Sequence, residues 1–126
     1  MTLIAVDFDK TLTEDSGDPY QVGGEKPDRE MVSFVQGLKE KKHYDIIIWT
    51  ARPWEQAGHI ASLMTAWGVP YNGIKCAKGG ADVYLDDKTV NHHCENWESR
   101  FDALAEYDNQ DPDQQILDEF EKPEKE

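Results

Sequence analysis

Acidic side chains sit at two places where an apolar run stops. Thr2-Leu3-Ile4-Ala5-Val6 ends at Asp7, with Asp9 two residues on and Thr11 after it. Ala81 to Leu85 ends at the pair Asp86-Asp87. Between them Ile46-Ile47-Ile48 leads to Thr50, and Lys78 precedes the second acidic pair. Carboxylates gathered in one place repel each other and call for a cation. An oxygen-only ligand set suits magnesium. A carboxylate beside such a cation is a nucleophile for phosphoryl transfer through an aspartyl-phosphate. A second acid two residues away has the spacing to protonate the leaving oxygen and then activate water. Thr50 is placed to hydrogen-bond a phosphoryl oxygen, and Lys78 to hold the charge of nucleophile and phosphoryl group.

The elements that must position these groups are legible as alternating strands and helices. Residues 2–6 and Tyr44 to Trp49 read as buried parallel strands. Residues 13–26 are polar and Gly-rich and read as a loop. A helix opens at Pro27, with Met31, Val32, Val35 and Leu38 at helical spacing and Lys39 to Lys42 as its polar end. A second helix begins at Pro53-Trp54, carries Ile60, Leu63, Met64 and Trp67, and is closed by Gly68. Val69 to Ile74 holds a short third strand, Ala81 to Leu85 a fourth, and residues 92–106 a last helix. The fold class is therefore α/β with a mainly parallel sheet, whose working groups gather at the carboxyl ends of the strands. Asp7, Thr50 and Asp86-Asp87 are expected to converge on that edge.

Bulk properties bound this reading. A chain of 126 residues with 38% hydrophobic residues suits one domain, expected over residues 1–107. Residues 108–126 are expected to form an acidic tail, partly disordered, in which Ile116, Leu117 and Phe120 allow one docked helical turn. Net charge is −13, and residues 102–126 alone hold ten acids against two bases. That acidity disfavours nucleic acid as a partner, which calls for a basic face. No apolar run approaches the ~20 residues of a membrane span, and no signal-like segment opens the chain. Cys76 and Cys94 then read as unpaired thiols in a reducing, cytoplasmic setting. Cys76, His92, His93 and Cys94 match no standard zinc spacing, and the two histidines are expected to begin a surface helix.

The four motifs in order resemble the haloacid dehalogenase-like (HAD) superfamily of phosphatases. That family is marked by D-x-D-x-T, a Ser or Thr after the second core strand, a Lys, and an acidic pair. Here these are Asp7-Phe8-Asp9-Lys10-Thr11, Thr50, Lys78 and Asp86-Asp87, spanning residues 2–88. The resemblance implies a three-layer α/β/α core. Asp7 would be nucleophile and magnesium ligand. Asp9 would be acid/base, and a ligand through its carbonyl. Thr11, Thr50 and Lys78 would bind phosphate, and Asp86, Asp87 or both would complete the Mg2+ shell. Lys75 competes with Lys78 for the third motif, and Gly79 stands where small family members usually have Pro. Asp9-Lys10-Thr11 also echoes the D-K-T of P-type ATPases, but the apolar run ends at Asp7, which favours Asp7. Lys10 fills a place that is often Gly and either adds charge near the substrate or points to solvent. Arg52 either contacts substrate beyond the phosphate or pairs with an acid.

Neither the interval from Leu12 to Lys26 nor that from Arg52 to Lys78 has room for a folded cap domain. The expected site is open, suiting a phosphate-bearing polymer end or a phosphorylated small molecule, with oligomeric state left open. Small capless members act in sugar or capsule pathways. Others act on 3'-phosphate ends of nucleic acids, with a Thr-x-Arg similar to Thr50-Ala51-Arg52. Two other classes compete: a receiver-like phosphate-binding module, and a catalytically idle family member. A receiver requires its acceptor Asp after the third strand, where this chain has no such Asp.

Overall fold

A computed structural model describes residues 2–14, 23–79, 83, 85 and 88–108. They fall into two compact units, one running from Leu3 to Leu85 and one from residue 86 onward.

The first unit is built on a parallel sheet. Strand β1 is Leu3–Asp7, β2 is Asp45–Trp49 and β3 is Gly73–Lys75, in the order β1-β2-β3. Register pairs Val6 with Ile48 and Ile48 with Ile74, so these three share one face. Helix α1 is Arg29–Glu40 and α2 is Ala57–Trp67. The strand order advances in one direction, so right-handed crossovers put both helices on the same face of the sheet. The Gln36 amide donating to the Gly68 carbonyl at 2.9 Å ties the two together. Met31, Val32, Val35 and Leu38 of α1, Ile60 and Met64 of α2, and Val6, Ile46 and Ile48 of the sheet are all buried. The opposite face is not covered in the same way. Leu3 is 63% exposed, and Ala5 and Trp49 are exposed too. Ile47 on that face is half-buried, so the described strands are buried more deeply on the helix side.

Local chemistry explains where elements start and stop. α1 begins two residues after Pro27, because the Asp28 carboxylate accepts from the Met31 N–H at 3.1 Å and caps the helix. Pro27 is extended instead and bridges to Thr13. The second helix opens as a tight turn, Trp54–Gln56, before α2 proper. Gly68 ends α2 in the left-handed region, φ 74°, as expected of a helix-closing glycine. A Cβ there would lie 3.3 Å from Gln36 Nε2. Gly68→Ala is expected to cost about 1 kcal/mol; an unchanged urea midpoint would count against that account.

β3 starts at Gly73, later than the spacing predicts. The Val69 N–H is used by the Met64 carbonyl at 2.9 Å, and Pro70 has no N–H. Asn72 hydrogen-bonds Ile46 through both its backbone N–H and its side-chain oxygen, so pairing is led by a side chain before the strand proper. Among the described residues the sheet has three strands. Of the expected fourth strand, Val83 and Leu85 are described; they lie outside any strand and are exposed at 79% and 102%. Ala81, Asp82 and Tyr84 lie outside the described residues.

In the second unit, the Asn91 side chain accepts from the His93 N–H at 2.9 Å and its carbonyl from the Cys94 N–H at 3.0 Å. This turn, and Asn96 in the left-handed region at φ 61°, delay helix α3 to Trp97–Asp108, against the expected start at residue 92. His92 and His93 therefore lie in a turn, their ring centroids 3.9 Å apart, rather than in a helix. Arg100 Nε donates to the Thr89 carbonyl at 3.0 Å and ties the turn to α3. The tail expected over 108–126 lies outside the described residues apart from Asp108. No described helix is long and apolar enough to cross a membrane.

Candidate active site

The carboxyl ends of β1 and β2 carry the site. Asp7 stands opposite Trp49 in register, and Thr50 follows directly. Beyond β2 and β3 the chains keep pairing as loops. The Thr50 N–H donates to the Lys75 carbonyl at 3.0 Å, the Lys78 N–H to the Thr50 carbonyl at 3.0 Å, and the Ala77 N–H to the Arg52 carbonyl at 2.8 Å. These bonds carry Lys78 to the strand ends. Its Nζ lies 2.8 Å from Asp7 Oδ1 and 5.1 Å from the centre of the Trp49 ring. Lys78, not Lys75, is the lysine on Asp7. Lys75 ends β3 and is exposed.

After Asp7 the chain makes a wide five-residue turn, Phe8–Leu12, closed by the Thr13 N–H donating to the Phe8 carbonyl at 3.1 Å. Asp9 is extended within it and Lys10 is left-handed at φ 62°. The Thr13 hydroxyl accepts from the Lys10 N–H at 2.8 Å and steadies that conformation. A left-handed residue costs a side chain roughly 1–2 kcal/mol, which gives a physical reason why glycine suits this position. Lys10 is exposed and Thr11 half-buried. Phe8 and Leu12 are fully buried and anchor the turn on either side of its three polar residues.

Asp9 meets Arg52. Arg52 Nη2 lies 2.7 Å from Asp9 Oδ1 and Nε 3.0 Å from Oδ2, a two-pronged clamp. Arg52 Nη1 lies 2.9 Å from Glu25 Oε2, and His59 Nε2 lies 2.8 Å from the same oxygen. The guanidinium also stacks over Phe8, 4.9 Å from the ring centre. The side chains of Arg52 and Glu25 are 1% and 2% exposed. Burial disfavours the Arg52 charge, but hydrogen bonding and attraction from Asp9, then Glu25, outweigh it and hold its pKa above the usual value. Burial likewise pushes the Glu25 carboxyl up, yet its own backbone, His59 and Arg52 outweigh that and hold it below its ordinary value. Of the two roles open to Arg52 in the sequence, pairing with acids is the one seen, and its burial leaves almost no surface for a ligand. Thr50 is fully buried, and its hydroxyl oxygen accepts from the Arg52 N–H at 3.1 Å, leaving its own hydrogen to donate.

Three participants carried no signal in the sequence. Glu25 lay in a stretch read only as loop, His59 on a helix read only for its apolar stripe, and Thr13 beyond the motif. A buried arginine requires acid partners, but nothing in the spacing says which acids.

Asp86 and Asp87 lie outside the described residues. Among the described residues no group of three or more His, Cys, Asp or Glu side chains is placed to hold a metal. Cys76, buried, and Cys94, exposed, are both free thiols. Burial, helped by Glu55, pushes the Cys76 thiol pKa up, away from reactivity.

These features define a class: a small α/β domain with a three-stranded parallel sheet flanked by helices, Rossmann-like in general arrangement. No family model and no curated protein matches the chain. A crystal structure of a structural-genomics target from Vibrio cholerae is similar, with a TM-score of 0.60 and 22% identity over 97% of this chain and 100% of that one. At that identity the likeness concerns the fold alone.

Proposed function

We propose that this chain is a magnesium-dependent phosphomonoesterase of the HAD-like type, with the three-layer core of that family, acting through an aspartyl-phosphate on Asp7. The observation that carries the reading is Asp7 at the carboxyl end of β1 with Lys78 Nζ 2.8 Å from its carboxylate. A nucleophile and the cation that offsets an incoming phosphoryl group are thereby adjacent.

In the first half-reaction an Asp7 oxygen forms a bond to phosphorus and the ester P–O bond breaks. Asp9, in its protonated form, delivers a proton to the leaving oxygen. In the second, water attacks the phosphoryl group, Asp9 takes the water's proton, and Asp7 is released as carboxylate with inorganic phosphate. The donor set suits magnesium in part. Asp7 Oδ1 takes the Lys78 and Phe8 hydrogen bonds, which leaves Oδ2 for a metal. In the family this chain resembles, the Asp9 carbonyl and Asp86 or Asp87, the latter two outside the described residues, would supply the rest of an all-oxygen set. Bound magnesium would supply charge stabilisation to the phosphoryl oxygens.

A second reading, a phosphate-binding module without turnover, draws on a specific observation. Both motif carboxylates are already paired with protein cations, at 2.8 Å on Asp7 and 2.7 Å on Asp9. Such pairing neutralises the acids without a metal. One experiment separates the two. The chain is offered an aryl phosphate with magnesium, then with a chelator. Turnover that stops on chelation and returns with magnesium supports the esterase. Phosphate binding by calorimetry with no turnover supports the module, and turnover that survives thorough chelation rejects the metal mechanism.

The substrate class follows from the expected open site: a phosphorylated small molecule or a phosphate-bearing polymer end, with the acidic chain disfavouring nucleic acid.

A further inference from the structure

Asp9, Arg52, Glu25 and His59 form a continuous line of polar contacts within the first unit, from the end of β1 to the first turns of α2. We infer that Glu25 and His59 are positioning residues, which lock the Arg52 guanidinium from behind so that its clamp fixes Asp9 for proton transfer. This rests on the phosphohydrolase reading.

An arginine is a long side chain with many rotamers to lose when it is fixed. A clamp on one carboxylate leaves Nη1 and the aliphatic stem unheld. Glu25 supplies the second hold, at 2.9 Å on Nη1. Phe8 supplies the third, beneath the guanidinium plane. His59 in turn holds Glu25 at 2.8 Å and is the outermost member, with its side chain 32% exposed.

The cost of this arrangement argues that it serves more than stability. Among the described residues Glu25 Oε1 is buried with no hydrogen-bond partner in another residue. Burying such a group opposes folding, and apolar packing in place of a buried ion cluster is often at least as stable. What the cluster provides, and apolar packing lacks, is a fixed orientation for the one member nearest solvent on the strand-end side. That member is Asp9, its side chain 21% exposed.

The test uses the full chain with Glu25→Gln, His59→Ala and His59→Gln, and two readouts. The first is kcat and KM on an aryl phosphate. Glu25→Gln is expected to lower kcat about 10- to 100-fold with KM nearly unchanged, as supporting-residue losses do. His59→Ala is expected to give a smaller fall in kcat, and His59→Gln, which keeps an N–H donor, to restore part of it. The second readout is hydrogen exchange of the Arg52 Nε–H by NMR, which requires no turnover. Glu25→Gln is expected to speed it at least about tenfold, and His59→Ala to speed it less. His59 is part-exposed, so its variants should fold even if Glu25→Gln does not. Folded variants with wild-type kcat and wild-type exchange would overturn the inference. So would a fall in kcat with exchange unchanged, because Asp9 would then be affected by another route. If the wild-type chain turns over nothing, the hydrolase reading fails by itself. The exchange rates then decide the lock: faster exchange supports it and unchanged exchange overturns it.

Discussion

Asp7→Asn is expected to abolish turnover of an aryl phosphate, by roughly 10⁴-fold or more, while the chain stays folded. Asn keeps an oxygen where Asp7 Oδ1 accepts from the Phe8 N–H at 2.9 Å and from Lys78 at 2.8 Å. The turn after β1 therefore has no reason to rearrange. What is lost is the charge, and with it the capacity to form an acyl-phosphate bond. The stability change should be small. The Asp7 side chain is 39% exposed, and pairs of that kind are worth about 0–1 kcal/mol. Initial rates beside thermal melts check both halves. A folded variant with undiminished turnover would remove Asp7 as nucleophile, and with it the aspartyl-phosphate route.

Arg52→Met should give the largest loss of stability at the site. Methionine fills much of the space over Phe8 but leaves the buried Glu25 carboxylate without its arginine partner and Asp9 without its clamp. Removing one member of a buried ion cluster costs about 3–5 kcal/mol. For a domain of this size that is on the order of 10–20 °C in Tm. The loss should also depend on pH, with a definite sign. In the wild type Glu25 is held below its usual 4.5, so its contribution is fully present above that pH and is lost as pH falls through the lower folded value. In Arg52→Met, burial is left less opposed and the Glu25 carboxyl moves up, so protonation in acid relieves the variant. The gap in Tm between the two proteins should therefore narrow from about pH 7 to about pH 3.5. A gap that is constant or widens in acid would show that Glu25 is not held by Arg52 in solution.

Much of the first unit could be read from residue order. The apolar stripe Met31, Val32, Val35, Leu38 and the glycine at 68 define α1 and the end of α2 because helix periodicity and a left-handed cap are local properties. Ile46-Ile47-Ile48 defines β2 for the same kind of reason. Misplaced boundaries came from side chains competing for backbone groups. Asp28 takes the first turn of α1 from Pro27, Asn72 pairs with Ile46 ahead of β3, and Asn91 holds a turn where a helix was expected.

At the site, the sequence by itself determined that an acid ends β1 and a hydroxyl follows β2. Strand ends in a parallel sheet face one edge, and position along the chain is enough to say so. It left Lys75 and Lys78 in competition, with only the family resemblance leaning to Lys78. Only the tertiary structure decided that Lys78 reaches Asp7, that Arg52 is buried between Asp9 and Glu25, and that His59 stands behind Glu25. These pairings join residues 27 to 71 positions apart. Ion pairing depends on distances of a few ångströms after folding, and a single chain read from end to end carries no record of which distant charges those will be.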